Sequence, residues 1–207
     1  MIIHECEQGS PAWFKLRAGK PTSSRFSSVI SGLGKPSDSL KDYAHDLATE
    51  AYLGHAIDDG FGGNKYTNRG KDLEDESRAD YAMTHQVTVD EVGFITDDLM
   101  RWGSSTDGLV GADGVVEFKN LISKRMTKLM VYMSLNKGKT PPEYIPQLQG
   151  ELFVTERKWV DIVFYHPDFE PIVRRHYPDL EYHKALKKQL TACISERKAI
   201  LKILKGA

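Results

Sequence analysis

The sequence predicts a mixed α/β fold, with layers of helix and strand around one core, on three observations. Helical three-and-four spacing of apolar residues alternates along the chain with short runs of β-branched and aromatic residues. No repeat or linker interrupts that alternation. The 207 residues are 40% apolar, 28% charged and 10% aromatic, enough to offset ordering entropy in a domain of ordinary size. A single domain over residues 1–207 is expected.

Each element has a local reason. Residues 39–52 place Leu40, Tyr43, Ala44, Leu47 and Ala51 on one helical face. A second helix is expected over residues 69–84, after a Gly-rich loop at residues 54–63. Residues 87–95 carry Val87, Val89, Val92, Phe94 and Ile95 and suggest one strand. The four glycines of residues 103–114 read as turns before a strand at residues 115–121. Helix resumes over residues 123–135 and again over residues 143–154, where Pro141 and Pro142 mark the start. Residues 159–165 alternate as a strand, with residues 172–177 as its hairpin partner. Asp179 then caps a long final helix with an apolar stripe.

Composition narrows the function classes. No apolar run approaches the roughly 18 residues of a membrane span. The opening Met1-Ile2-Ile3-His4-Glu5 reaches acid without a basic or apolar leader, so the cytoplasm is expected and no membrane partner. Cys6 and Cys193 are too few for a disulfide framework. The net charge of −1 argues against a protein that coats nucleic acid indiscriminately. Charge is nevertheless segregated: residues 38–98 hold fifteen acids and five bases, whereas residues 118–142 hold six bases and no acid. Residues 181–207 hold seven bases and two acids. A solvated helix face would account for any one of these blocks; together they would also suit a polyanion lying along the basic segments, with acids elsewhere holding cations.

Chemistry concentrates at Asp107, Glu117 and Lys119. Residues two apart on a strand share a face, so Glu117 and Lys119 project together and Phe118 turns into packing. A hairpin through Gly108, Gly111 and Gly114 could return Asp107 to Glu117. Two carboxylates with the Phe118 backbone carbonyl suit Mg²⁺ or Mn²⁺, and Lys119 could orient a water beside a phosphodiester. Taken alone the triplet is weak, because a surface hairpin with an ordinary ion pair reads the same way. Gly138-Lys139-Thr140 imitates a P-loop ending, but Met133 stands where its first glycine belongs. The seven histidines lack zinc-site spacing, and Trp13, Trp102 and Trp159 are expected in the core.

Four blocks in order strengthen the reading: Trp13-Phe14-Lys15-Leu16-Arg17-Ala18-Gly19 with Thr22-Ser23-Ser24; Gly70-Lys71-Asp72-Leu73-Glu74; Ser105-Thr106-Asp107-Gly108-Leu109 through Glu117-Phe118-Lys119; and Tyr144-Ile145-Pro146-Gln147-Leu148-Gln149. In these the chain resembles the phage lambda-type (alkaline) exonucleases of the PD-(D/E)xK nuclease superfamily, over roughly residues 7–167. The resemblance implies a central mixed sheet with a restriction-endonuclease-like core, assembled as a toroidal trimer. It implies catalysis by Asp107, Glu117, Lys119 and Glu74, with Mg²⁺, as two ions, on Asp107, Glu117 and the Phe118 carbonyl. Arg17, Ser24, Ser105 and Gln147 match a pocket for the terminal 5′ phosphate.

The implied activity is a 5′→3′ exonuclease that acts on linear duplex DNA, releases 5′-mononucleotides and leaves a 3′ overhang for strand-annealing recombination. Double-stranded DNA ends, a single-strand annealing protein and two further copies of the chain are the implied partners, and a phage or prophage the implied source. Lys124, Arg125, Lys128, Lys137 and Lys139 would suit a DNA channel, though singly each also suits a solvated surface. Thr106 stands where relatives often have proline, and Tyr66 is the candidate for the strand-splitting wedge. The alternatives are another nuclease of the superfamily, an endonuclease or junction resolvase, or an inactive DNA-binding relative.

Overall fold

A computed structural model describes residues 1–57 and 73–206. In chain order it contains β1 (Ile2–His4), α1 (Pro11–Arg17), a 3₁₀ turn (Ser23–Ser28), α2 (Leu40–Leu53), α3 (Glu74–His85), β2 (Val89–Asp90), β3 (Phe94–Thr96), β4 (Gly103–Ser104), β5 (Gly108–Val110) and β6 (Gly114–Asn120). There follow α4 (Ser123–Leu135), a 3₁₀ turn (Pro142–Tyr144), α5 (Ile145–Thr155), β7 (Trp159–His166), β8 (Phe169–His176) and α6 (Leu180–Leu204). The mixed α/β fold is as the periodicity predicts.

Five strands form the main sheet in the order β2-β5-β6-β7-β8, and three form a smaller one in the order β1-β3-β4. Only β6 and β7 run parallel within the main sheet, joined by the crossover through α4 and α5. Helices cover both faces there, which is why β6 and β7 read as nearly continuous apolar runs. Val115, Val160, Ile162 and Phe164 meet Leu148 and Leu152 of α5 on one face. Val116, Phe118 and Val163 meet Tyr81 of α3 on the other. The final helix buries Tyr182, Leu186, Leu190 and Cys193, and Asp179 caps it by accepting from the Tyr182 N–H at 3.0 Å.

Three expectations about strands are corrected. Residues 87–95 are not one strand: β2 pairs with β5 in the main sheet, whereas β3 pairs with β1 and β4 in the other. Gly93 permits the change of sheet, because a Cβ there would lie 2.0 Å from the Cys6 carbonyl oxygen. Residues 103–114 are not all turns either, since they contain β4 and β5. Gly103 and Gly108 serve close packing, a Cβ on either reaching within 2.2 Å of Phe94 and Val89 respectively. Only Gly111, at φ +53°, has the backbone of a turn glycine. The partner of β7 also begins earlier than expected, at Phe169, because Pro167 and Asp168 alone turn the hairpin.

Candidate active site

The hairpin sets Asp107 beside Glu117. Strands β5 and β6 pair Gly108 with Val116, so the next register position faces Asp107 toward Glu117. Asp107 Oδ2 accepts from the Phe118 N–H at 2.7 Å, locking the carboxylate against the strand. Lys119 Nζ donates to Glu117 Oε1 at 2.5 Å and to Gln147 Oε1 at 3.1 Å. Phe118 packs on the opposite face against Tyr81, as strand alternation requires.

Thr106 fixes the approach to this corner. It is fully buried, and its hydroxyl donates to the carbonyls of Val116 and Gly108 at 3.1 and 3.3 Å. A hydrogen bond thus restrains the turn where a proline would restrain φ. Thr106→Val is expected to cost about 1–3 kcal/mol by stranding buried carbonyls, and to slow any reaction that needs Asp107 in place. Chemical denaturation and single-turnover rates would measure both; an unchanged midpoint would deny Thr106 this function.

The electrostatics are those of crowded acids around one ammonium. Burial pushes the Asp107 carboxyl well above the usual carboxylate range, and Glu117 adds to the rise. For Lys119, burial alone would favour the neutral amine, yet Glu117 and Asp107 raise its pKa above the ordinary lysine value. Glu151 of α5 was missed at the sequence level. It is completely buried, and burial followed by the neighbouring Glu117 drives its carboxyl well upward. Its signal was available: Glu151 is the one charged residue of α5 and lies one helical turn from Gln147, whose Nε2 donates to it at 3.0 Å.

Arg17, Ser24 and Ser105 come together at the end of α1. Arg17 donates to Ser105 Oγ at 2.9 Å and to Thr22 Oγ1 at 3.4 Å, and Thr22 Oγ1 lies 3.4 Å from Ser24 Oγ. The guanidinium stacks 4.2 Å from the Trp13 ring centre, while Trp13 Nε1 donates to Ser105 Oγ at 2.9 Å. Trp13 is therefore only partly buried and organises a cation, contrary to the expectation of a core filler. Trp159, stacked 3.6 Å from Arg175, is likewise only partly buried, whereas Trp102 is in the core. Gln147 does not bond to the Arg17 group; both ends of its amide are held by Lys119 and Glu151.

Other candidates fall at the margins. Glu74 sits in the first turn of α3 rather than mid-helix, paired to Arg78 at 2.8 Å, with its pKa raised by burial. Lys124, Arg125 and Lys128 are exposed on α4, and Lys137 and Lys139 are exposed in the loop after it. Tyr66 lies outside the described residues, as do Gly70, Lys71 and Asp72.

The donor set suits a hard divalent cation. Among the described residues no group of three or more His, Cys, Asp or Glu side chains is placed to hold a metal ion, so the protein offers an ion fewer than three such ligands. The acids that do converge leave two buried carboxylate oxygens, Glu117 Oε2 and Glu151 Oε2, without a hydrogen-bond partner. All-oxygen ligation with open positions is the arrangement Mg²⁺ prefers when it shares its shell with water and phosphate.

The model of the YqaJ-like viral recombinase domain matches residues 12–158, which contain all four sequence blocks. The chain belongs to that family. Among solved structures, the alkaline exonuclease LHK-Exo from Laribacter hongkongensis is 28% identical, with 95% of this chain and 96% of that chain covered at a TM-score of 0.81. LHK-Exo in complex with dAMP matches at 28% identity, the same coverage and a TM-score of 0.80. A phage-related exonuclease from Haemophilus somnus 129PT shares the fold at 17% identity, with 89% and 96% covered and a TM-score of 0.70. No curated protein sequence matches. Membership of the viral recombinase family, with the likeness to LHK-Exo, supports a nuclease. Among the described residues no helix is long and apolar enough to cross a membrane.

Proposed function

We propose that this viral recombinase-family chain is a Mg²⁺-dependent 5′→3′ exonuclease of linear duplex DNA. The observation that carries the reading is the convergence of Asp107, Glu117 and Lys119 on one hairpin corner, in a chain that matches an alkaline exonuclease along nearly its whole length. A divalent ion held there would stabilise the attacking and leaving oxygens of the phosphodiester. Asp107 and Glu117, with the Phe118 carbonyl, would be its ligands. Lys119 remains charged between its acids, so its ammonium orients the attacking water and meets negative charge developing on the phosphate. Mn²⁺ could replace Mg²⁺ on the same oxygens.

The Arg17, Ser24 and Ser105 group is suited to a terminal 5′ phosphate, since a guanidinium fork and two hydroxyls match its oxygens. Gln147 sits beside Lys119 and would join that end to the scissile bond. Each cut creates a new 5′ phosphate, and its capture would advance the strand by one nucleotide. Release of mononucleotides agrees in kind with the dAMP found with LHK-Exo. The remaining 3′ tail would serve a single-strand annealing protein, in the cytoplasm of a host infected by a phage or carrying a prophage.

End-labelled linear duplex and closed circular DNA separate this reading from its rivals. Labelled 5′-mononucleotides from linear duplex alone are expected; cutting of intact circles at comparable rates would indicate an endonuclease or junction resolvase instead. A ring of three copies would let the exposed α4 bases line a duplex channel. Light scattering at micromolar concentration should then give three times the 23.3 kDa chain mass, and a monomer mass would remove the ring.

A further inference from the structure

We propose that the cleft between the α4–α5 connection and β8 is a second phosphate-binding site, which holds a backbone phosphate of DNA apart from the catalytic corner and from the Arg17 group. The proposal rests on the reading of the protein as one that acts on DNA. It assigns to that substrate two residues, Thr140 and Arg174, that none of the four sequence blocks contains. Three observations carry it.

The first is the make-up of the cleft. Its volume is about 350 Å³, within the range of ligand sites, and Lys139, Thr140, Arg174, Arg175 and His176 line it beside Ile145. No acid is among the lining residues. Arg175 is already neutralised, forked onto Asp161 at 2.8 and 2.7 Å. His176 Nε2 lies 2.8 Å from Thr140 Oγ1, which holds both side chains at the wall of the cleft. Lys139 and Arg174 pair with no carboxylate among the described residues, so two cations stand there uncompensated.

The second is preorganisation. Arg174 Nε donates to the Gly138 carbonyl at 3.0 Å and Nη1 to the Val173 carbonyl at 2.8 Å, which fixes the guanidinium and leaves Nη2 for a ligand. A Cβ on Gly138 would lie 3.5 Å from Nη2, so a longer side chain would stand against that free nitrogen. The N–H groups of Gly138 and Lys139 already donate to the carbonyls of Met133 and Asn136, so side chains, and not a P-loop backbone, meet the phosphate. The third is position. Glu117 pairs with Ile162 and Ile162 with Arg174, which puts Arg174 on the face of the catalytic acids, two strands or about 10 Å away. One DNA strand advances about 3.4 Å per nucleotide, so a strand with its scissile phosphate at Glu117 comes level with the cleft in about three nucleotides. No Phe, Tyr or Trp lines the cleft to stack a base, so the contact is to the backbone and independent of sequence.

The test is binding of a labelled linear duplex to the full chain in chelator, followed by fluorescence anisotropy over about 50–200 mM salt, for the parent, Arg174→Gln and Lys139→Gln. The logarithm of affinity falls with that of salt by about 0.9 for each phosphate neutralised, so each variant should lower the slope by about that amount on any sequence. The preference for 5′-phosphorylated ends should stay that of the parent, because the Arg17 group is untouched. Lys139→Gln changes an exposed, unpaired side chain and keeps the test decisive should Arg174→Gln fold poorly without its carbonyl bonds. Parent-like slopes in both variants would overturn this proposal alone, even if calorimetry found inorganic phosphate or dAMP bound in the cleft. A parent that binds no duplex would overturn the exonuclease reading, and this proposal with it.

Discussion

Lys119→Ala should lower the rate of phosphodiester hydrolysis by roughly 10²–10³-fold, the range lost when one positioned donor that meets developing negative charge is removed. The ammonium is held by two hydrogen bonds, to Glu117 at 2.5 Å and Gln147 at 3.1 Å. Its loss also leaves Glu117 and Asp107 less compensated, and removing one partner of a buried pair can cost about 3–5 kcal/mol. Thermal unfolding with Mg²⁺ present should therefore accompany the assay, and Lys119→Met would keep the apolar stem. Single-turnover cleavage of a labelled duplex isolates the chemical step. Parent-like rates in a folded Lys119→Ala variant would remove Lys119 from the mechanism, and activity that survives chelator would remove the ion.

Arg17→Ala should erase the preference for 5′-phosphorylated over 5′-hydroxyl ends, weakening the phosphorylated end by roughly 10- to 150-fold. That range follows from about 1.5–3 kcal/mol for a hydrogen bond to a charged group. Processivity should fall with it, while one cleavage at saturating DNA should suffer far less, because Arg17 is bonded to Ser105 and Thr22 and not to the acids. Arg17→Lys should not rescue the preference, since an ammonium has neither the planar fork nor the face that stacks on Trp13. Processivity on long duplexes and binding of the two end types would measure this. Equal losses on both ends would mean that the Arg17 group holds something other than a terminal phosphate.

Periodicity made much of the fold legible. Helices α2 and α4 lie within one or two residues of where the apolar spacing puts them, and Asp179 caps α6 as its type and position suggest. These elements follow local rules: a repeat of three and four in each, and for α6 a side-chain acceptor at the first turn. The hairpin corner was legible for the same reason, because alternation along β6 needs only sequence spacing.

Where the sequence misled, long-range packing decides. A glycine can serve a turn or a close approach, and composition cannot separate them; Phe94 and Val89, each on another strand, make Gly103 and Gly108 packing positions. Trp13 reads as bulk until Arg17 and Ser105 arrive beside it. Glu151 shows the same limit most clearly. Along the chain it is one acid in an apolar helix, which could face water, and only the packing of α5 on β6 turns it toward Glu117 and Lys119. The sequence by itself determined helices α2 and α4, the start of α6, and the strand that carries Glu117 and Lys119 on one face, since these depend on neighbours a few residues apart. Tertiary structure alone decided which distant groups meet those acids and in what state of charge, because burial and Coulomb energy depend on distance in space.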